Sequence, residues 1–211
     1  MVARILSLSD VIVGFVYSPQ ISQVFPNIDL ILGCGDLPNY YLDYAASVLN
    51  TPLYYVNGNH DLPTGTNGTK HNPESLGGVN IHRKVIYDQG VLLGGVEGCI
   101  CYNDGPYQYT QAEMWGHIFS LMPILLLNRL VFGRYLDVFI SHAPPWGIND
   151  RPDFPHQGIK AFRWFIKVFK PAYHFHGHIH VYRPDIPVYS KFIRTTVINS
   201  FGFSVNEVGL D

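Results

Sequence analysis

The sequence predicts an α/β fold, and three observations carry that expectation. Short aliphatic and β-branched runs alternate with helical stretches along the chain. Several of the apolar runs end in a polar cluster rich in Gly, Asp, Asn and His. Hydrophobic residues make up 47% of the 211 and charged residues only 14%, a balance that suits a large buried core rather than disorder.

In chain order, strands are expected at Ile5–Leu8, Leu30–Leu32, Leu53–Val56, Ile81–Ile86, Val91–Val96, Val138–Ile140, Tyr173–Phe175, Thr195–Ile198 and Ser204–Val208. Helices are expected at Tyr41–Leu49, at Gln111–Leu127 with a break or kink at Pro123, and at Gly158–Phe169. The last is the clearest: Ile159, Phe162, Ile166 and Phe169 recur at helical spacing and Pro171 stops it. Its other stripe is basic, Lys160, Arg163, Lys167 and Lys170, and reads as a solvated face, with an anion-guiding surface as the alternative. The apolar run Ile124–Leu127, with Leu121 and Met122 before it, is too short to span a bilayer and reads as a buried helix; an interfacial membrane helix is the other reading. Pro63–Asn80, rich in Gly and Pro, is expected to be a loop. It contains the sequon Asn67-Gly68-Thr69, which has no meaning in a cytoplasmic protein. With no repeat or linker, residues 1–211 read as one domain.

The net charge of −2 argues against a protein held mainly by nucleic-acid phosphates, and no aromatic-basic motif supports nucleic-acid binding. The charge is uneven, however. Residues 129–194 hold ten Lys/Arg against four Asp/Glu, and residues 1–128 hold four against ten. Cys34, Cys99 and Cys101 form no framework, so reduced thiols in a cytoplasmic protein are expected, with Cys99 and Cys101 as small buried hydrophobes. The N-terminus lacks a basic region followed by a long apolar core and reads as a first strand rather than a signal peptide.

The polar clusters carry the chemistry. His176-Gly177-His178-Ile179-His180 places imidazoles either side of a glycine that permits a sharp turn. Gly35-Asp36, Gly58-Asn59-His60-Asp61 and Ser141-His142 each follow an apolar run, and residues just past strand ends gather where α/β sheets bind ligands. Imidazole, carboxylate and carboxamide together suit a divalent metal. Singly, each residue has an ordinary alternative: Asp10 as a cap, Asp36 in a turn, His142 hydrogen-bonded in a strand-end loop. His174 and His176 read as core or hydrogen-bonded residues, and His71, His82, His117 and His156 as weaker candidates.

Taken in order, Ser9-Asp10, Gly35-Asp36, Gly58-Asn59-His60-Asp61, Ser141-His142-Ala143-Pro144-Pro145 and Gly177-His178-Ile179-His180 resemble the motifs of the calcineurin-like metallophosphoesterase family. That resemblance implies a four-layer α/β/β/α sandwich of two mixed sheets and two divalent ions (Mn, Fe, Zn or Ni). By the same resemblance Asp36 would bridge the ions, Asn59, His142 and His178 would complete the second site, and Asp10 and His180 would serve the first. His60 would protonate the leaving oxygen, with Asp61 orienting its imidazole.

One position departs from the pattern. The family's first motif reads Asp-x-His, whereas this chain has Asp10-Val11-Ile12, and Ile12 cannot ligate a metal. A more weakly held first ion is therefore expected, with water or a neighbour such as Asn39, Asn103 or His156 taking the vacant position, or an empty first site. The expected activity is hydrolysis of a small phosphoester, a diester or nucleotide-type substrate rather than a protein. The alternative is a non-catalytic scaffold of the same fold, a role the family's retromer subunit implies. Tyr102–Tyr109, Asn103 above all, is a candidate substrate-binding segment, with a rigid turn as its equal alternative.

Overall fold

A computed structural model describes residues 2–62, 77–183 and 186–209. The sequon, His71 and most of the Pro63–Asn80 loop lie outside these residues.

Two sheets form the frame. The first holds five strands in the order β13-β1-β2-β3-β4: β1 (Val2–Ser9), β2 (Leu30–Gly33), β3 (Leu53–Tyr55), β4 (Val79–Asn80) and β13 (Gly202–Gly209). β1 to β4 run parallel, and β13 pairs antiparallel with β1 from Val2↔Gly209 to Ser9↔Gly202. The second sheet holds six in the order β11-β12-β10-β9-β6-β5: β5 (Lys84–Asp88), β6 (Val91–Val96), β9 (Val138–Ser141), β10 (Tyr173–His176), β11 (Tyr189–Phe192) and β12 (Thr195–Asn199). Its central strands β6, β9, β10 and β12 are parallel and its edges antiparallel. A two-stranded ribbon, β7 (Cys99–Ile100) with β8 (Gln108–Tyr109), completes the β-structure.

Alternation along each strand explains why these sheets stack. Successive side chains of a strand face opposite ways. In the first sheet Ile5, Leu30 and Leu32 face a core shared with Leu93, Val138, Ile140, Phe175 and Ile198 of the second. Their chain neighbours Leu6, Leu8 and Ile31 face outward, against Ile21 of α1 (Ile21–Val24) and Tyr41, Leu42 and Ala45 of α2 (Asn39–Leu49). On the far side Leu92, Val96 and Phe139 face Met114, Ile118, Leu121 and Leu125 of α3 (Gln111–Phe132) and Phe162, Phe165 and Phe169 of α4 (Lys160–Phe169). Both sheets are thus apolar on both faces, as sheets in the middle of a four-layer α/β/β/α sandwich must be.

Helix ends follow from local chemistry. α3 opens on a reciprocal capping box between Thr110 and Glu113 and closes on left-handed Gly133. α4 closes on Lys170 in the left-handed region, and Pro171 blocks its continuation.

Four expectations need correction. α3 runs through Pro123 to Phe132, one turn and more beyond Leu127. By length and composition alone this 22-residue helix would suffice to cross a membrane. Leu121 and Leu125 are buried as expected, but Leu126 and Leu127 are exposed, because the run from Leu121 to Leu127 is apolar on every side while the helix packs on one side only. Cys101 is exposed, since it follows the ribbon strand, while Cys99 within it is buried. The strand expected at Ile81–Ile86 is divided: Ile81 is buried in the central core and β5 begins at Lys84 after left-handed Arg83.

Phe139 lies at the centre of the second sheet's outer core, with ring centroids 5.4 Å from Phe162, 4.6 Å from Phe165 and 4.8 Å from His174. Phe139→Ala should therefore destabilise the fold by about 3–5 kcal/mol, measured by urea unfolding. A loss below ~1 kcal/mol would show that the helical layer closes over the cavity.

Candidate metal centre

The first three parallel strands of one sheet and the central strands of the other deliver their carboxyl ends to one edge. Asp10 follows β1, Asp36 follows β2, Asn59 and His60 follow β3, His142 follows β9, and His178 and His180 follow β10. Backbone hydrogen bonds tie these loops together across both sheets. Asp10 N–H donates to Gly35 O, Gly98 N–H to Asn57 O, Ala143 N–H to Gly98 O, and Gly177 N–H to His142 O. The Ser9 hydroxyl adds a bond to Cys34 O.

Three of the gathered residues stand in the left-handed backbone region, Asp10 at φ 64°, Asp36 at φ 56° and His178 at φ 66°. Non-glycine residues there cost about 1–3 kcal/mol each and persist only where surrounding bonds over-determine them. The motif glycines make the close approach possible. A Cβ on Gly58 would collide with Asp36 Oδ1, and one on Gly177 would collide with Ser9 Oγ and lie 2.6 Å from Asp10 Oδ2.

The donor atoms converge. Single ligand atoms of Asp10, Asp36 and His142 lie within 4.8 Å of one another. His142 Nε2 is 3.3 Å from Asp36 Oδ2, 3.0 Å from Asn59 Oδ1 and 3.1 Å from His178 Nδ1. His142 gives its Nδ1–H to Cys34 O at 2.8 Å, and His178 gives its Nε2–H to Pro155 O at 2.9 Å. The remaining ring nitrogens, His142 Nε2 and His178 Nδ1, therefore face each other, and in the absence of a cation a proton on His142 lies between them. Asn59 directs its Nδ2–H to the Tyr102 hydroxyl at 3.0 Å, which turns Oδ1 inward as well. Four ligand-type atoms thus gather at one place, held together by a proton on His142 or by a cation in its stead. On the other side of Asp36, Asp10 Oδ1 lies 3.6 Å from His180 Nε2, and the His178 N–H holds the Asp10 carboxylate at 3.1 Å.

The electrostatics agree with that geometry. Burial opposes charge on His142, but Asp36 beside it, with Asp10 behind, outweighs burial and lifts the imidazole to about 9. Burial would raise Asp36; His142, together with the His60 N–H and ring, overrides it and holds the carboxyl at about 2. His178, buried and next to His142, is pushed down to about 3 and keeps its lone pair free. His180 is raised by the neighbouring Asp10 carboxylate. A chain that draws positive charge so strongly to His142 and Asp36 fits a divalent cation.

The remaining candidates are placed as follows. His60 is exposed at the mouth, its N–H bonded to Asp36 Oδ1 at 2.8 Å. Asp61 does not bond the His60 ring: its Oδ2 accepts from Gly58 N at 2.7 Å and Asp36 N at 3.0 Å, so it shapes the loop that carries Asp36 and Asn59. Burial raises Asp61 to about 6 against the Gly58 bond. Asn103 lies in an exposed turn, its Oδ1 accepting from Gly105 N and Gln108 Nε2. Ile12 is 43% exposed and offers no lone pair. Asn39 opens α2, while the His156 ring, bonded to Asp153, lies 5.3 Å from that of His178. His174 and His176 are buried, His174 against Ser141 Oγ at 2.7 Å and His176 against Asn149 Nδ2 at 3.2 Å. His82 and His117 pack edge to face, with Tyr109 beside both.

Sequence reasoning missed the carbonyls of Cys34 and Pro155 and the aromatic pair at His180, where Tyr182 OH meets Nδ1 at 3.1 Å and the Phe201 ring lies 4.9 Å away. The carbonyls leave no mark on residue type, and Phe201 arrives from a turn after β12 that no motif flags.

Carboxylates, imidazoles and one carboxamide at the carboxyl edge of a two-sheet sandwich form a candidate site for a divalent cation. The calcineurin-like phosphoesterase model matches residues 3–182, and the chain belongs to that family. The fold is similar to that of TT1561 of Thermus thermophilus, at 17% identity over 99% of this chain and 100% of that one, with a TM-score of 0.63. It is also similar to GAP50, the anchor in the inner membrane complex of Plasmodium, at 11% identity over 98% and 81%, TM-score 0.54. None of the curated proteins matches the chain. Most members of the family are phosphoesterase hydrolases, and they use divalent metals.

The glycine contacts give a direct test. Gly58→Ala should weaken binding of Mn²⁺ by roughly 10–100-fold, because its Cβ must displace Asp36. Isothermal titration should show the loss, with the far-ultraviolet spectrum unchanged; unaltered affinity would mean that the Asp36 loop can shift freely.

Proposed function

We propose that the protein hydrolyses a small phosphoester with two divalent cations, one held more tightly than the other. The convergence of His142 Nε2 and His178 Nδ1 with the Asp36 and Asn59 oxygens is the observation that carries this reading. Asp36, Asn59, His142 and His178 would hold the tighter cation. Asp10, Asp36 and His180 would hold the other, with Ile12 standing where the family has a histidine. When bound, the cations supply Lewis acidity, lowering the pKa of water and offsetting phosphoryl charge.

The chain's own groups would do the rest. The carbonyls of Cys34 and Pro155 keep both imidazoles in the ligating tautomer. The Asp61 carboxylate holds the Asp36 and Gly58 amides in place. His60, exposed beside Asp36, is the group free to hand a proton to the departing oxygen. Tyr102 on one side and Tyr182 with Phe201 on the other supply aromatic surface, which suits a diester or nucleotide-type substrate. A non-catalytic scaffold is the second reading, and Ile12 is the observation that favours it, since it deprives the first position of a ligand.

Titration of metal-free protein with Mn²⁺ should resolve two unequal affinities, and Ile12→His should tighten the weaker one. Two equally tight ions in the wild type would remove Ile12 from the argument.

Turnover separates enzyme from scaffold. His60→Ala should keep both metals and lose roughly 10²–10⁴-fold in activity toward alkyl or nucleoside leaving groups, with a smaller loss for p-nitrophenolate. Asp36→Asn should lose metal and activity together. Metal-loaded wild type inactive on bis-p-nitrophenyl phosphate, p-nitrophenyl phosphate and nucleotide diesters would give the fold to the scaffold. An equal loss for good and poor leaving groups would take the acid role from His60.

A further inference from the structure

The helical layer over the second sheet turns an unusual surface outward. α3 directs Met114, Ile118, Leu121 and Leu125 into the core. At 100° per residue its opposite side runs through Gly116, Phe119, Ser120, Pro123, Leu126, Leu127 and Leu130, uncharged throughout and apolar from Pro123 on. Leu130 is 83% exposed, Val131 63% and Leu126 52%. Ordinary soluble helices reserve that side for charge, so a continuous apolar strip there marks an interaction site.

α4 lies alongside. Gln111 of α3 bonds Gly158 O and Lys160 N at its start, Trp115 and Phe119 meet Trp164 at 5.3 and 6.0 Å, and Tyr135, just past α3, meets Phe169 at 5.3 Å. Phe162, Phe165 and Phe169 face inward, leaving Lys160 and Lys167 on the outer side with Lys170 at the end. α4 has no carboxylate, and α3 only Glu113 in its capping box. An apolar strip and a row of ammonium groups therefore share one outward face, with Trp164 at their junction.

We propose that this face docks on an anionic lipid surface, with α3 lying in the interface plane and the α4 lysines against the headgroups. The charge pattern selects this occupant. A second copy seated face to face would bring the lysines no facing carboxylate from α3 or α4 other than the capping Glu113. An anionic bilayer answers both halves, taking apolar side chains into the acyl boundary and cations at the headgroups. α3 does not span: its other side is the wall of the hydrophobic core. The inference is independent of the metal centre.

Sedimentation of the full chain with vesicles tests it. Binding is expected to phosphatidylcholine–phosphatidylglycerol vesicles, weakly or not at all to pure phosphatidylcholine, and should fall as salt rises. Leu127→Glu with Leu130→Glu should weaken binding at least about tenfold, and Lys160→Glu with Lys167→Glu by roughly tenfold or more at low salt. These positions are exposed, so melting temperature and Mn²⁺ affinity should match the wild type in both variants. Failure of the wild type to bind the anionic vesicles would overturn the proposal, as would binding unaffected by the leucine pair. So would a dimer in sedimentation equilibrium that Leu130→Glu dissolves, which would assign the face to a second copy.

Discussion

Two imidazole nitrogens pointed at each other across 3.1 Å are the constraint around which this molecule is built. Only a proton or a cation between them lets both stand there, so the structure must fix the two rings by other contacts. It does so from behind, through the carbonyls of Cys34 and Pro155. Cys34 lies just past β2 and Pro155 in a short 3₁₀ turn, so the tautomers of His142 and His178 depend on elements from both halves of the chain. The parallel strands explain why that is feasible. Strands aligned in register end at a common edge, and a bond such as that from Gly177 N–H to His142 O couples neighbouring strand ends directly.

Much of the candidate site is legible in the sequence because its residues sit at strand ends, where hydrophobic patterning locates them, and because glycine accompanies them. Gly58 and Gly177 show why: a Cβ at either would occupy a ligand's position, so the glycine belongs to the site as much as the ligand does. Asp61 departs from its expected role for a different reason. A carboxylate beside a histidine in sequence suggests a pair, yet in a tight turn its nearest donors are the backbone amides of Gly58 and Asp36. Residue order cannot distinguish a carboxylate that serves a neighbour's side chain from one that ties down the loop.

The fold is legible to a similar depth and departs from expectation at comparable places. Long aliphatic runs mark the central strands, whereas the two-residue strands Val79–Asn80, Cys99–Ile100 and Gln108–Tyr109 have too few residues to show a period. α4 announces its buried side through contrast between phenylalanines and lysines. α3 lacks that contrast, so its apolar run suggests burial for Leu126 and Leu127 that the structure does not provide. Pattern reveals a face only when the opposite face differs from it.

Asp10, Asp36 and His178 share a backbone conformation that side-chain-bearing residues avoid. Their posture is maintained by the Gly35 carbonyl, the Asp61 carboxylate and the His178-to-Asp10 bond, all made between parts of the protein itself. The candidate ligands are therefore positioned by the protein's own bonds, without need of an ion. A flexible chelator adapts its bite to whatever radius it meets; a rigid one discriminates by size, since each lone pair has a fixed address. On this view backbone strain at the three positions would set the radius of cation the site accepts, its cost spread over the folding of the whole chain rather than exacted at the moment of capture.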